Sequence, residues 1–210
     1  MPDESPHAVS GSANRLRLVL FSKFPAPGAV KTRLIPALGA AGAAALHGQL
    51  AQHCFNIISA AAKTGGAICE VRYSGAEESA FREWLGHDGR FLAQSEGDLG
   101  DRLRQAAEPL PYIFFGADTP DLNAEIILEA IAALDQHDVV IGPAEDGGYY
   151  LVGAKRELPG LFDKMPWSTA DLLDKTLEYL HQIGITPGLL QTLRDCDRPE
   201  DLVHWPWLTP

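Results

Sequence analysis

The sequence is poor in cysteine and in basic residues. Its only cysteines, Cys54, Cys69 and Cys196, lie far apart and form no CxxC pair. This odd, scattered set favours neither a disulfide framework nor a zinc site, so we expect reduced thiols. Lys and Arg total 17 against 28 Asp and Glu, a formal net charge of -11. This balance argues against nucleic acid as a partner, because polymer binding needs clustered cations.

Long apolar segments are also missing. No run approaches the roughly 20 residues that span a bilayer, and residues 1–14 lack the apolar core of a signal peptide. We therefore expect a cytoplasmic protein with no membrane partner. With 46% hydrophobic residues, the 210-residue chain can form one sizeable core. The predicted organisation is a disordered leader over residues 1–14 and a single domain over residues 15–210.

Strand-like and helix-like segments alternate along the chain. Short apolar runs predict strands at 16–21, 67–73, 91–92, 113–115 and 138–142, and helical spacing predicts helices between them, at 39–62, 77–85, from 99 to near 109, 126–134 and 171–183. This order implies crossover connections, and hence an α/β fold. The prediction is a three-layer α/β/α domain with a mainly parallel sheet. The run 149–153 follows a double glycine and predicts an antiparallel edge strand.

An aspartate stands at the end of one predicted buried strand. Residues 113–115 are apolar, and Gly116-Ala117-Asp118 follows them, which places Asp118 at the carboxyl edge where open α/β sheets bind ligands. Magnesium prefers carboxylate oxygens and uses one or two protein carboxylates beside substrate phosphates. Asp118 is therefore a candidate metal ligand. The alternative is a structural cap of the next helix, for which Asp121 is better placed.

The loop after the first strand carries three cations. Two prolines and Gly28 break helix formation there, and backbone N–H groups near Gly28 could approach a phosphate closely. Lys31 and Arg33 could neutralise that phosphate, although the loop is no Walker P-loop. A solvated loop whose cations balance an acidic surface is the alternative. The candidate binding residues of this loop are Ser22, Lys23, Pro27, Gly28, Lys31 and Arg33.

Two further segments carry candidate ligand contacts. Gln94, Asp98 and Arg102 surround a predicted helix start, where Arg102 could point into the same cleft or form only a surface ion pair. Asp146 precedes a double glycine at which a ligand could approach the backbone closely. A turn before a strand explains the same residues structurally. The candidate acceptor-binding residues are Asp146, Gly147, Gly148, Tyr149 and Trp167.

Four motifs occur together in a fixed order. They are residues 21–34, Asp98-Leu99-Gly100, Gly116-Ala117-Asp118-Thr119-Pro120 and Asp146-Gly147-Gly148-Tyr149-Tyr150. This combination resembles a bacterial family of glycosyltransferase-A-like proteins of unknown function, over roughly residues 16–205. More distantly, the chain is similar to the molybdenum-cofactor and phospholactate guanylyltransferases.

The resemblance implies roles for several of these residues. Lys31 and Arg33 would contact phosphates, and the whole loop, with Gln94, Asp98 and Arg102, would bind the nucleotide. Asp118 would ligate Mg²⁺ or Mn²⁺. Asp197, in the late motif Asp195-Cys196-Asp197, would supply a second metal contact, although Asp146 could do so instead. Lys31, Asp118 and Asp146 are the residues expected to act in catalysis.

Three functions are compatible with these motifs. The first is metal-dependent nucleotidyl transfer from a nucleoside triphosphate to a small acceptor, in which binding and electrostatics do most of the work. The second is glycosyl transfer from a nucleotide-diphosphate sugar, with the metal stabilising the departing diphosphate. The third is nucleotide binding without turnover. A homodimer is compatible with all three.

Overall fold

The computed structural model describes residues 15–163 and 165–208. The predicted leader, residues 1–14, lies outside the described residues. Within these residues, seven strands form one sheet in the order β3-β2-β1-β4-β6-β5-β7. Their bounds are β1 Arg17–Lys23, β2 Ile68–Ser74, β3 Arg90–Ala93, β4 Tyr112–Phe115, β5 Val139–Pro143, β6 Tyr149–Ala154 and β7 Gly188–Leu189.

All neighbouring strands pair in parallel except at β6, which is antiparallel to both β4 and β5. The predicted fold class, a mainly parallel glycosyltransferase-A-like sheet, is confirmed. The antiparallel strand lies two places from the sheet edge, because the short β7 adds beyond β5. Two residues are too few to give a sequence pattern, and β7 is absent from the strands predicted above.

In the part of the chain that the structure describes, five α-helices cover the two faces of the sheet. Their bounds are α1 Ile35–Gly65, α2 Glu78–Leu85, α3 Leu99–Ala106, α4 Ala124–Gln136 and α5 Leu172–Gln182. Apolar residues of α1, α2 and α4 share one core cluster with the sheet, and those of α3 and α5 share another. Each amphipathic helix buries its apolar stripe against a strand layer, which gives the predicted three layers.

The long helix α1 differs from its sequence-based prediction in two ways. It starts four residues earlier and bends at Gly39, whose φ of 69° is not helical. Together with the preceding turn it is also long and apolar enough to cross a membrane by length and composition, contrary to the expectation that no such segment exists. Core helices pass the same test, and α1 buries Cys54 and Ile58 in the core cluster of its face.

A third apolar cluster joins the C-terminal segment to the start of α1. Cys196 and Trp205 pack there with Leu34, Leu46 and Leu50, and all five are at most 5% exposed. A short 3-10 helix, Pro199–His204, lies between the two C-terminal members and has Pro199 at its first position. This packing holds the segment Asp195-Cys196-Asp197, the late acidic segment, at the carboxyl edge of the sheet.

Candidate functional site

The main cavity lies at the carboxyl edge of the parallel strands and has a volume of about 770 Å³. Segments that follow β1, β3, β4 and β5 contribute to its wall. This is where open α/β sheets bind ligands. The lining residues are Phe21, Ser22, Lys23, Ala29, Val30, Lys31, Thr32, Arg33, His47, Gln94, Gly97, Asp98, Leu99, Arg102, Gly116, Ala117, Asp118, Asp146, Ser168, Asp195 and Asp197.

Lys31 lies at the centre of the polar network in this cavity. Its Nζ is 2.7 Å from Asp118 Oδ1, 2.7 Å from Asp197 Oδ1 and 2.7 Å from the carbonyl oxygen of Cys196. Its side chain is 4% exposed. Burial alone would lower the pKa of Lys31, but the two carboxylates outweigh it and raise the pKa above its ordinary value. The ammonium is therefore charged at neutral pH.

Asp118 and Asp197 differ in their exposure and in their partners. Desolvation would raise the pKa of Asp118, but the charge of the Lys31 ammonium and its hydrogen bond hold it below the ordinary value. The Asp118 side chain is 46% exposed and the Asp197 side chain 35%. Asp197 also forms an ion pair with Arg33, whose Nη1 is 3.4 Å from Asp197 Oδ2. Asp118 is thus ionised, and both carboxylates remain accessible from the cavity.

The late acidic segment lies directly against the loop that follows β4. The Cys196 N–H donates to the carbonyl oxygen of Asp118 at 2.9 Å, and Thr119 Oγ1 donates to Asp195 Oδ1 at 2.9 Å. Because the Cys196 side chain is fully buried in the third cluster, the side chains on either side of it face the opposite way. Asp195 and Asp197 therefore both line the cavity.

Asp195 has the most unusual electrostatic environment of this segment. Burial raises its pKa to about 7, and the charges of Asp118, Asp146 and Asp197 add to this effect, while the hydrogen bond from Thr119 opposes it. Asp195 was considered above only beside Asp197 and was not among the candidate site residues. The alternation of polar Asp and apolar Cys in this segment is the signal that could have identified it.

The opposite wall contains most of the predicted loop and helix contacts. Gln94 Nε2 donates to the carbonyl oxygens of Ser22 and Arg72, and Gln94 Oε1 accepts from Arg102 Nη1. Asp98 is the N-cap of α3, where its side chain accepts from the Asp101 N–H. All four candidates named for this wall, Ser22, Gln94, Asp98 and Arg102, line the cavity. Their roles in nucleotide binding stay predictions.

His47 is a cavity residue that the sequence interpretation missed. It lies on α1, is 6% exposed, and its Nε2 is 3.0 Å from the carbonyl oxygen of Lys23. A carbonyl can only accept, so Nε2 carries the proton in this hydrogen bond. Burial lowers the pKa of His47 below 6.5, which keeps the imidazole neutral at pH 7. No spacing pattern in the sequence distinguishes this histidine from the others.

Asp146 joins the site, whereas the other four residues predicted to bind an acceptor do not line the cavity. Asp146 Oδ1 accepts the Gly148 N–H at 2.9 Å and so closes the turn between β5 and β6. Gly147 has a φ of 88°, and a Cβ there would lie 2.0 Å from the Ala170 carbonyl oxygen. The double glycine therefore serves the tight packing of this turn. Asp146 is the residue that the turn presents to the cavity.

Tyr149 and Trp167 lie in the core beneath this turn. Their rings meet edge to face, with centroids 6.2 Å apart, and both pack in the cluster that α3 and α5 form with the sheet. Neither residue lines the main cavity, so their role in acceptor binding stays a prediction. Pro27 and Gly28 are likewise absent from its lining, since the loop turns outward before Ala29.

A second, smaller cavity opens beside the first and has a volume of about 380 Å³. It shares five wall residues with the main cavity, so the two form adjoining compartments. The shared residues are Arg33, Asp146, Ser168, Asp195 and Asp197. Thr169, Ala170, Arg194 and Arg198 are among the residues that complete its wall. The second cavity lies next to the Asp146 turn, where the sequence predicts the acceptor.

The carboxylates fit a hard divalent cation in chemistry and accessibility. Within residues 15–163 and 165–208, no group of three or more His, Cys, Asp and Glu residues is arranged to hold a metal ion. A site built from one or two carboxylates, with water and phosphate oxygens as the other ligands, needs no such group. Asp118 and Asp197 present partly exposed carboxylates to the same cavity. They therefore fit the predicted magnesium or manganese ligands.

Comparison with known proteins places the chain in a family. Residues 57–169 match the family described as "Uncharacterized protein conserved in bacteria (DUF2064)". The chain belongs to this family. The match includes Asp118 and the Asp146 turn but not the cationic loop or the late acidic segment. Among curated proteins, none matches the chain.

Solved structures share the fold over most of the chain. A protein from Desulfovibrio desulfuricans G20, provisionally assigned as a nucleotide-diphospho-sugar transferase, is 30% identical with a TM-score of 0.79, covering 87% of this chain and 82% of that one. The 4-diphosphocytidyl-2C-methyl-D-erythritol synthase of Anaerococcus prevotii is 11% identical with a TM-score of 0.60, covering 90% and 93%. The resemblance inferred from the sequence is confirmed.

A third structure shares the fold and was determined with ligands. Glucosyl-3-phosphoglycerate synthase of Mycobacterium tuberculosis, in complex with Mn²⁺, UDP and glucosyl-3-phosphoglycerate, has a TM-score of 0.54 at 14% identity, covering 97% of this chain and 81% of that one. At this identity the likeness concerns the fold alone. The fold of this family is therefore one that also occurs in nucleotidyl and glycosyl transferases.

Proposed function

We propose that the protein is a metal-dependent transferase that acts on a nucleotide, transferring a nucleotidyl group from a nucleoside triphosphate to a small acceptor. One observation carries this proposal. Cations of the loop after β1 and the carboxylates Asp118 and Asp197 line one cavity at the carboxyl edge of the sheet. That cavity, at about 770 Å³, lies within the range of about 300–1,000 Å³ typical of small-molecule sites.

The phosphates bind at the cationic side of the cavity. Arg33 is 61% exposed and has donors that suit a phosphate, which an Arg can bind in a bidentate manner. Lys23 lines the same wall, and Arg102 approaches it from α3. These local cations supply positive potential in a chain whose formal net charge is -11. A small polyanion can thus bind to a protein that repels long polyanions.

The carboxylate side of the cavity would hold the metal. Asp118 and Asp197 would hold Mg²⁺ or Mn²⁺, which supplies neutralisation of the charge that develops on the phosphates during transfer. The cations of the loop add to this stabilisation in a cavity that is partly shielded from water. The Mn²⁺ bound in the glucosyl-3-phosphoglycerate synthase structure supports a divalent cation as the cofactor.

The acceptor occupies the second cavity, which adjoins the first at Asp146 and Asp195. A hydroxyl of the acceptor attacks the α-phosphorus, a new O–P bond forms, and the bond to pyrophosphate breaks. Asp146 stands at the boundary, where its carboxylate can orient that hydroxyl and take up its proton. Alignment of the two substrates in adjoining compartments supplies much of the acceleration expected for such a step.

Glycosyl transfer from a nucleotide-diphosphate sugar is the second candidate. The 30% identical structure that is provisionally assigned as a nucleotide-diphospho-sugar transferase favours it. The same cationic wall and metal would then stabilise a departing nucleoside diphosphate. Because the two reactions release different products, they are separable without knowledge of the acceptor's identity.

The deciding experiment incubates the protein and Mg²⁺ with an acceptor panel and either nucleoside triphosphates or sugar nucleotides. Release of pyrophosphate, followed by mass spectrometry, supports nucleotidyl transfer, and release of nucleoside diphosphate from a sugar donor supports glycosyl transfer. The Asp118→Asn variant is the matched control and should release neither product. Binding without turnover over the whole panel would contradict both reactions and favour a non-catalytic nucleotide-binding protein.

A further inference from the structure

The hydrogen-bonding capacity of Lys31 is fully used within the protein. An ammonium has three N–H donors and no acceptor. The three oxygens at 2.7 Å from Nζ, on Asp118, Asp197 and Cys196, use all three donors. With 4% of its side chain exposed, Lys31 has no donor left for a phosphate. It can contact a nucleotide only by giving up at least one of these contacts.

The oxygens around the ammonium are the kind that a hard divalent cation prefers. Two carboxylates and one backbone carbonyl would suit Mg²⁺ or Mn²⁺, and the two carboxylates are the metal ligands of the proposed function. The ammonium lies within hydrogen-bonding distance of both Asp118 Oδ1 and Asp197 Oδ1. A divalent ion bound to both oxygens would stand close enough to repel it strongly.

The backbone of the loop is anchored on both sides of Lys31 and is strained at Lys31 itself. Val30 and Leu34 are at most 5% exposed and anchor the chain on either side of it. Lys31 itself has φ 46° and ψ 42°, a left-handed conformation that is uncommon for residues other than glycine. The three contacts of its ammonium help to hold this conformation, so a ligand that displaces the ammonium removes part of what fixes it.

We propose that the Lys31 ammonium is an internal cation that exchanges with the divalent metal. It neutralises Asp118 and Asp197 in the free protein and moves to the phosphates when metal and nucleotide bind together. This inference rests on the proposed function for the metal and the nucleotide. Metal alone must displace the ammonium without offering it a new partner, whereas a metal–nucleotide complex supplies phosphate oxygens. Metal and nucleotide therefore bind cooperatively, each raising the affinity of the other by the same factor.

The test is the affinity of Mn²⁺ in the absence of nucleotide, measured by electron paramagnetic resonance of the free ion. The Lys31→Met variant retains a stem of similar length without the charge, and it should bind Mn²⁺ at least about tenfold more tightly than the wild type, equivalent to about 1.4 kcal/mol. Lys23→Met removes one cation from the same cavity wall and is the matched control. It should change the Mn²⁺ affinity by less than about threefold, because exposed charges are screened.

The second arm measures cooperativity. Saturating nucleotide should tighten Mn²⁺ binding to the wild type at least about tenfold and should tighten binding to Lys31→Met far less. Equal or weaker Mn²⁺ binding by a folded Lys31→Met variant would overturn the exchange. If that variant does not fold, Lys31→Gln, which keeps a polar group in place, gives the same comparison.

The two proposals fail in distinguishable ways. If the wild type shows metal-dependent transfer but Lys31→Met binds Mn²⁺ no more tightly, only the exchange is wrong. If neither protein binds Mn²⁺, with or without nucleotide, the metal part of the proposed function is wrong as well, and the exchange with it.

Discussion

Replacing Asp195 by Asn should stabilise the protein at alkaline pH, although Asp195 lies in the candidate site. Its pKa of about 7 in the folded protein exceeds the ordinary value of 3.8, chiefly because burial disfavours its charge. A carboxyl group with a raised pKa binds its proton more tightly in the folded state. Its contribution to stability is therefore present below about pH 4 and is lost as the pH rises to about 7.

The size of this effect follows from the interval between those two values. It covers roughly three pH units, each worth about 1.36 kcal/mol, so wild-type stability falls by up to about 4 kcal/mol over this range through Asp195 alone. Asn has no such charge, and its amide oxygen can still accept the hydrogen bond from Thr119 Oγ1. For a chain of this length, the variant should exceed the wild type in melting temperature by on the order of 10 °C at pH 8.

The assay is thermal unfolding of both proteins from pH 4 to pH 8, with a chelator present. The difference in melting temperature should be small at pH 4 and should increase up to about pH 7. Asp135→Asn, which removes one carboxylate at an exposed position near the end of α4, is the control. A variant that is less stable than the wild type at pH 8 would refute the electrostatic reasoning about the acidic segment.

Three further predictions concern the same site. Asp118→Asn should destabilise the free protein by about 1 kcal/mol, because Lys31 loses a charged hydrogen bond to a half-exposed carboxylate, and the melting temperature should fall by about 2–4 °C. Gly147→Ala should cost at least about 2 kcal/mol in unfolding free energy, since its Cβ would meet the Ala170 carbonyl oxygen at a positive φ. Removing divalent cations with a chelator should abolish nucleotide binding in calorimetry while leaving the far-ultraviolet circular dichroism spectrum unchanged.

Each of these has a clear contradicting outcome. An Asp118→Asn variant with a higher melting temperature would mean that Lys31 does not stabilise this carboxylate. Gly148→Ala is the control for the turn and should cost less, because its Cβ would meet only the movable Asp146 side chain at 3.1 Å. Equal losses for the two glycines would contradict the packing argument. Nucleotide binding that survives chelation would exclude a metal requirement for binding.

The fold and the position of Asp118 could be predicted from the sequence because local patterns determine both. Most apolar runs of the sheet are short and are separated from the next by a helix, except where a turn joins β5 to β6. Parallel pairing then brings the carboxyl ends of the strands to one edge. The loop with Lys31 and Arg33 follows β1, and Asp118 follows β4. The strands β1 and β4 are parallel neighbours in the sheet. Their proximity follows from topology alone.

The acidic segment could not be placed in the same way. Asp195 and Thr119 are hydrogen-bonded partners although 76 positions separate them. Their contact depends on the two-residue strand β7 and on burial of Cys196 between α1 and the C-terminal 3-10 helix. Neither feature produces a periodic pattern.

The aromatic residues near the Asp146 turn show a second limit. Tyr149 and Trp167 lie close to the turn in space, but their rings point into the core between the sheet and α5. A short strand with apolar residues at successive positions does not indicate which face carries a ligand. His47 is the opposite case, a residue without a predicted role that lines the cavity. It lies on α1, and the sequence pattern of that helix does not show which of its residues face the cavity.

The most direct test of the central claim is calorimetric binding of a nucleoside triphosphate and of the matching nucleoside, both with Mg²⁺. Lys31→Ala and Arg33→Ala together remove two of the three cations of the loop. This double variant should weaken binding of the triphosphate by at least about 100-fold and binding of the nucleoside by less than about threefold. Equal losses for both ligands would show general damage to the loop. Failure of the wild type to bind any triphosphate or sugar nucleotide would contradict the assignment of this cavity to a nucleotide.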